Sequence, residues 1–303
     1  MKKRAVSSLL ASLAVVSFIL PALAADAPGL EEMPPIVEET VEQAPFQLDG
    51  IPQQSLVYEN RSGVTYVTVG SFVSMLDQEA AVEEENGAVT VNAARVSQVV
   101  DGSGNTATVV EETLNLAVKA GAPYIVANGR YLYAKDSLIL LNGSVAAPIR
   151  LLAQVFNLDV GYDGENRAVL LNHREGDAYI LPGDSYYNAD TLYWLSRIIH
   201  AESGNQILEG KIAVGNVVMN RVKDPKFPNN IYDVLYQKNQ FAPASSGSLK
   251  RTPNEESVIA AKLVLDGAEI VPTALFFNRA GLSCYASRNR TYVTTIGEHA
   301  FYA

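Results

Sequence analysis

Residues 190–203 read DTLYWLSRIIHAES, and this stretch sets the character of the last third of the chain. Its leucines and isoleucines recur at helical spacing, with Asn188 or Asp190 placed to cap the first turn. At about 100° per residue, Glu202 falls about 20° from Leu195 and about 40° from Ile198. The spacing therefore puts a carboxyl group on the apolar stripe, at the C-terminal end of the helix, just ahead of Ser203-Gly204-Asn205. Burial disfavours the ionised form, and the negative end of the helix dipole acts in the same sense. A carboxyl so placed holds its proton towards neutral pH, as a general acid must. Periodicity alone leaves a second reading open, a partly exposed Glu at a frayed helix end.

The residues that follow continue in helical style. EGKIAVGNVVMNRV (209–222) lines Ile212, Gly215, Val218 or Met219, and Val222 along one face. Asn216 and Asn220, four apart, share a face, where they either bind sugar hydroxyls or are merely solvated. Phe227-Pro228-Asn229-Asn230 reads as a turn before a short helix, 231–236, and Gln240-Phe241-Ala242 as a loop. Thr252-Pro253-Asn254-Glu255 reads as a capping box with Pro at the first helical position, opening a helix that ends near Asp266-Gly267. Ala274–Asn278 reads as extended.

The front half has a different texture, with short β-type runs separated by Gly, Asn and Asp between about 50 and 173. A shift of 80 residues lays Val67–Leu76 on Ala147–Phe156, and without a gap it lays Glu85-Asn86-x-Ala88-Val89 on Glu165-Asn166-x-Ala168-Val169. Each unit reads as strand, short amphipathic helix, strand, tight turn, strand, with Asp163-Gly164 as the turn of the second.

The chain has 303 residues, enough for two domains plus appendages. Its net charge of −10 argues against a nucleic-acid binder with a broad basic surface. One cysteine and three histidines exclude an internal disulfide and leave too few soft ligands for a zinc or copper site, so no metal and no cofactor is expected. His200-Ala201-Glu202 lacks the paired thiolates of a zinc deaminase, and Ser203-Gly204 is no nucleophile elbow. Residues 185–303 hold 12 Lys/Arg against 10 Asp/Glu, so the acidity belongs to the front, and the back half is able to approach an anionic polymer.

Residues 1–24 read as a secretory signal peptide: Lys2, Lys3 and Arg4, an apolar run, then Ala22-Leu23-Ala24 as the cleavage site. No other segment approaches the uninterrupted apolar length of a membrane span, so a secreted or envelope location without a transmembrane helix is expected once the signal is cleaved. Residues 25–49 read as an acidic, proline-rich linker, with six acidic residues, no basic one and four prolines by position 45. The expected order is then a mixed α/β repeat domain at 50–173, a polar linker at 174–187 and a mostly helical domain at 188–303, an α+β chain overall.

Two resemblances attach to these segments. VAAPIRLLAQVFNLDVGYDGENRAVLL (145–171) resembles the copper-amine-oxidase N-terminal-like domain of exported bacterial proteins, with Tyr162-Asp163 where that family has Trp-Asp. Despite the name, the resemblance implies no copper, but an accessory or spacer domain at the envelope. AESGNQILEGKIAVGNVVMNRV, FPNNIYDVLYQKNQF, ALFFN and IGEHAFY, in that order, resemble the SleB-like cell-wall hydrolases, the spore-cortex-lytic family. That resemblance implies a lysozyme-like catalytic domain acting on peptidoglycan glycan strands, with Glu202 as the catalytic acid. It also points to Gln240, Phe241, Asn278 and His299 as substrate contacts. The sequence departs from it at Glu298, where an Asn is usual beside His299, and at Ser203-Gly204-Asn205.

Two-carboxylate glycosidases need a second acid, and Glu209 either plays a direct part or caps the second helix, where negative charge is favoured. A single acid suffices for a lytic transglycosylase, which is the expected reaction. The rival from another class is a non-catalytic peptidoglycan-binding envelope protein.

Overall fold

Five residue pairs with positive φ set the grain of the first half. Asp49-Gly50, Ser62-Gly63, Asn86-Gly87, Asn128-Gly129 and Asn142-Gly143 all lie in the left-handed region, as a two-residue type I′ hairpin turn requires. The computed structural model describes residues 46–100, 106–238 and 240–303, all within one compact unit, Val41–Ala303. The expected signal peptide and residues 25–45 of the expected linker lie outside the described residues.

The strands run β1 (Phe46–Leu48), β2 (Ile51–Gln53), β3 (Tyr58–Arg61) and β4 (Val64–Thr68), followed by α1 (Val69–Leu76), β5 (Ala81–Glu85) and β6 (Ala88–Val100). The long β7 (Thr106–Lys119) returns along β6. Then come β8 (Tyr124–Ala127), β9 (Arg130–Tyr133), β10 (Ile139–Leu141), β11 (Ser144–Pro148), α2 (Ile149–Val155), β12 (Leu158–Asp163) and β13 (Ala168–His173). The order strand, helix, strand, strand thus occurs twice, as β4–α1–β5–β6 and β11–α2–β12–β13.

The two stretches interlock. β4 and β11 pair antiparallel with Val67 opposite Ala147, residues 80 apart in sequence. The early β1–β2 hairpin joins the late strands in a sheet ordered β12-β13-β1-β2, while β8–β9 joins the early ones as β5-β6-β7-β8-β9. One continuous core results, in which Phe46, Phe72, Val89, Leu116, Ile125, Leu152, Phe156 and Leu171 are all buried.

Three sequence expectations need correction here. Residues 46–49, expected in the linker, belong to the fold, because the Phe46 ring is buried against Tyr58 and β1 runs parallel to β13. The hairpin between β12 and β13 uses residues 164–167, not a two-residue Asp163-Gly164 turn. Asp163 closes β12, and its carboxylate accepts from the backbone N–H groups of Glu165 (2.9 Å) and Asn166 (3.2 Å). The stretch 174–187 is no free linker. Tyr179 and Ile180 sit in the core of the first half, and Ala178 N–H donates to Glu112 at 2.8 Å. The polar residues around this short apolar anchor hid it.

The second half is α3 (Gly183–Tyr186), α4 (Ala189–Ser203), α5 (Leu208–Lys223), α6 (Ile231–Tyr236), α7 (Ala242–Ser246) and α8 (Glu255–Leu265). A three-stranded sheet, β14 (Phe276–Arg279), β15 (Tyr292–Ile296) and β16 (His299–Tyr302), has the order β14-β16-β15 and carries α9 (Tyr285–Asn289). The fold is therefore α+β throughout. Gly215 lets α5 approach its neighbours, since a Cβ there would stand 2.9 Å from both Ile199 of α4 and Val264 of α8. Asn188 caps α4 by accepting from Thr191 N–H. The cap of α8 is Asn254, accepting from Ser257 N–H at 3.0 Å, so the N-cap lies two residues beyond the expected Thr252.

Asn216 and Asn220 are neither solvated nor free for sugars. Asn216 donates to Ala268 O (2.7 Å) and accepts from Ile270 N–H (2.8 Å), and Asn220 donates to the carbonyls of Val271 and Ala274 (3.0 Å each). Together they fasten the 268–274 segment to α5, satisfying its backbone groups where water does not reach.

A buried clasp joins the halves. Arg130, at the start of β9, donates from Nε to Asp266 at 2.9 Å, and Tyr187 hydrogen-bonds the other carboxylate oxygen. Tyr186 lies over the guanidinium at 3.4 Å, and Lys262 donates to Gly129 O. The side chains of Arg130 and Asp266 are 8% and 0% exposed, so neither charge has water to fall back on. Removing one partner strands the other. Asp266→Ala is expected to cost about 3–5 kcal/mol in denaturant unfolding, and the double variant Arg130→Met/Asp266→Leu to cost less than that single change.

Candidate functional site

Glu202 lies on the last turn of α4, whose buried face is Leu195, Ile198, Ile199 and Ser203. The end of this helix is held from two sides. Ser203 Oγ donates to Ile199 O at 2.8 Å, and Asn254, the cap of α8, donates through Nδ2 to Gly204 O at 3.2 Å. Glu202 is half-buried, and among the described residues no hydrogen bond or ion pair holds its carboxylate. Burial pushes its pKa from the ordinary glutamate value near 4.5 up to about 6. Burial is the cause, and no second carboxylate contributes. Glu209 occupies the first turn of α5, where its charge suits the helix dipole.

The loop behind Glu202 is built around Gln206. This buried side chain accepts through Oε1 from Glu298 N–H at 2.9 Å, tying the loop to the turn before β16. Gly297 makes the approach possible, since its φ is +55° and a Cβ there would sit 2.4 Å from Oε1. From below, the fully buried Lys211 donates to Gln206 O at 2.5 Å and pairs with Glu256. Sequence reading missed both Gln206 and Lys211. The signal for Lys211 was available: it lies four residues before Gly215 and seven before Val218, on the apolar stripe of α5, where a lysine needs a partner.

His299 opens β16, one residue after the turn that Gln206 holds. Its ring meets Phe277 edge-on at 5.3 Å, and burial lowers its pKa, so the imidazole is held neutral. Its Nδ1 is buried without a hydrogen-bond partner among the described residues. Phe241 stands 6.4 Å from Phe277 but is only 5% exposed, inside the helical core. The ring packs on the helical core, and Phe241 also lines a concavity of about 400 Å³ beside Tyr236. Asn278 pairs with Ala300, while Phe277 and Arg279 pair with Phe301 and His299. Paired residues share a face, so the sheet separates Asn278 from His299. Asn278 thus faces away from His299, and its Oδ1 accepts from Arg279 N–H at 2.9 Å. Gln240 is exposed on the turn before α7.

Arg221 is a second feature invisible to the sequence reading. Its guanidinium lies 4.9–5.3 Å from the rings of Phe227, Phe241 and Phe276, and Nε donates to Leu275 O at 2.7 Å. Burial draws its pKa down to about 10. The cation is held by ring quadrupoles and a carbonyl instead of a carboxylate. Among the described residues no group of His, Cys, Asp and Glu is arranged to hold a metal ion, and no helix is long and apolar enough to cross a membrane.

A family model described as Cell Wall Hydrolase matches residues 205–302, and one described as Copper amine oxidase N-terminal domain matches residues 47–171. Glu202 lies three residues ahead of the first match. The spore cortex-lytic enzyme of Bacillus cereus is 27% identical over 116 residues, 38% of this chain and 45% of that protein. The spore cortex-lytic enzyme of Bacillus subtilis is 25% identical over 129 residues, 42% of each. The chain thus spans less than half the length of these relatives. Among solved structures, the catalytic domain of the germination-specific lytic transglycosylase SleB from Bacillus anthracis is 24% identical with a TM-score of 0.37. That match covers 41% of this chain and all of the other.

Two outcomes test this geometry. The raised pKa of Glu202 means that its contribution to stability is complete below pH 4.5 and lost as pH rises through about 6. The ionised carboxylate then costs about 2 kcal/mol. Glu202→Gln should therefore melt above the parent protein at pH 8, with the gap closing at pH 4, as read by calorimetry. Gln206→Ala should speed amide hydrogen exchange at Glu298, while Gln206→Glu, which keeps an acceptor at that position, should leave it slow.

Proposed function

We propose, for a chain that carries a cell wall hydrolase domain beside a copper amine oxidase N-terminal domain, that it is an exported enzyme cleaving the glycan strands of peptidoglycan, with Glu202 as its acid and base. The observation that carries this reading is a half-buried carboxyl whose pKa is raised by burial and which has no paired carboxylate. At pH 7 such a group still donates protons readily, because its pKa lies within about a unit of the medium. The helical half is taken as the lysozyme-like catalytic unit and the β-rich half as an accessory domain at the envelope.

In this reaction the protonated Glu202 gives its proton to the glycosidic oxygen between N-acetylmuramic acid and N-acetylglucosamine. The C1–O bond breaks, and its electron pair leaves with the departing sugar. The carboxylate left behind takes the proton of the muramic C6 hydroxyl, whose oxygen bonds to C1 and closes a 1,6-anhydro ring. One acid completes the cycle and ends protonated again. Charge developing on the ring is eased by the substrate's own N-acetyl group or by protein dipoles. His299, neutral beside Phe277, and the exposed Gln240 are the polar contacts retained from the sequence reading.

Glu202→Gln should lose at least about a hundredfold in the rate of sacculus digestion while keeping its fold. Activity of the parent protein should fall as pH rises through about 6, because only the protonated form donates. Mass spectrometry of the released fragments should find anhydro-muramic ends; reducing ends would mean hydrolysis. Absence of clearing on cell-wall zymograms would mean a binding protein. Comparing spore cortex with vegetative sacculi identifies the preferred wall.

A further inference from the structure

Away from Glu202, α4 and α6 expose an unusual amount of aromatic surface. Tyr193, Tyr232 and Tyr236 are 44–48% exposed around the half-buried Trp194. Trp194 meets Tyr193 at 5.0 Å, Tyr232 at 5.3 Å and Tyr236 at 6.0 Å, and Tyr232 and Tyr236 lie 4.5 Å apart at a 31° tilt. The rings therefore brace one another through an indole that packs on the helical core. Arg197 stacks on Tyr193 at 3.7 Å and stiffens it.

Two concavities flank this cluster. One of about 490 Å³ has Trp194 and Tyr232 as its wall, with Asp190, Thr191, Asn229 and Asn230 around it. The other, about 400 Å³, lies beside Tyr236 and is lined by Gln237, Lys238 and Ser245. Both volumes fall in the range of small-ligand sites. Gln237 Oε1 is buried there without a hydrogen-bond partner among the described residues, an acceptor that lacks a donor. Rigid ring faces bordered by amides and hydroxyls suit a saccharide, whose C–H face covers apolar rings while its hydroxyl and N-acetyl groups bond the polar border.

We propose that the Tyr193–Trp194–Tyr232–Tyr236 cluster and its two grooves form a binding platform for N-acetylhexosamine residues of a glycan strand, remote from the bond that is cut. This inference rests on the glycan-cleaving reading and extends it. Trp194 precedes Glu202 by eight residues on the same helix, about 12 Å along its axis. That distance calls for a polymer, since one sugar ring does not bridge it. The near-neutral charge of the helical half leaves an anionic wall polymer free to approach.

The test uses the full chain carrying Glu202→Gln, so that binding is read without digestion. Co-sedimentation with purified sacculi, and titration with a chitin tetramer as soluble probe, should show weaker binding by about tenfold or more for Tyr232→Ala/Tyr236→Ala. Tyr232→Phe/Tyr236→Phe, which keeps the ring faces, should bind within about twofold of the parent. In the active enzyme the Ala pair should raise KM and leave kcat unchanged. Unchanged sacculus and tetramer binding by the Ala pair would overturn the platform, as would loss of a dimer in sedimentation velocity with glycan binding intact. Retained digestion by Glu202→Gln would overturn the catalytic reading alone, a separate result from the binding ratio.

Discussion

A carboxyl group taken partly out of water, with no cation to meet it, is the constraint around which the helical half is arranged. The cost of that burial is what lifts the pKa of Glu202 to about 6. It persists only if the end of α4 is fixed, since a frayed end would let the carboxylate turn outward and recover its hydration. The fixing is done by backbone groups. Asn254 takes Gly204 O, Lys211 takes Gln206 O, and Gln206 takes the amide of Glu298. Each tie reaches a different element, α8, α5 and the β15–β16 turn, so the segment after Glu202 has little freedom left.

The front half contributes to this rigidity through the clasp of Arg130, Tyr187 and Asp266 at the end of α8. Since α8 packs on both α4 and α5, the β-rich half is continuous with the framework that holds Glu202. The Arg130–Asp266 pair is desolvated at this border, so parting the halves would leave each charge without its partner. Tyr124, Tyr131 and Tyr133 complete the junction by packing on the helical core.

Much of this was legible locally. The helical phase of Leu195, Ile198 and Glu202 and the division between a strand-rich front and a helical back follow from short-range pattern. What escaped the sequence depends on partners distant in the chain. Whether Asn216 and Asn220 meet sugars, water or backbone is decided by the 268–274 segment, more than fifty residues on. Phe241 reads as an aromatic on a loop, and the structure packs its ring beside Phe277 and the cation of Arg221. Asn278 and His299 sit in strands that pair, but strand alternation sends them to opposite faces, and that parity depends on a register that no local pattern specifies.

The pairing of β1 with β13 has a kinetic side. β1 pairs locally with β2, Phe46 opposite Gln53, but its other edge meets its partner only at Val169, more than a hundred residues further along. Loop closure of that length must be met before the contact rewards it, which slows such topologies. The sheet β12-β13-β1-β2 is thus complete only once the chain has been laid down as far as His173.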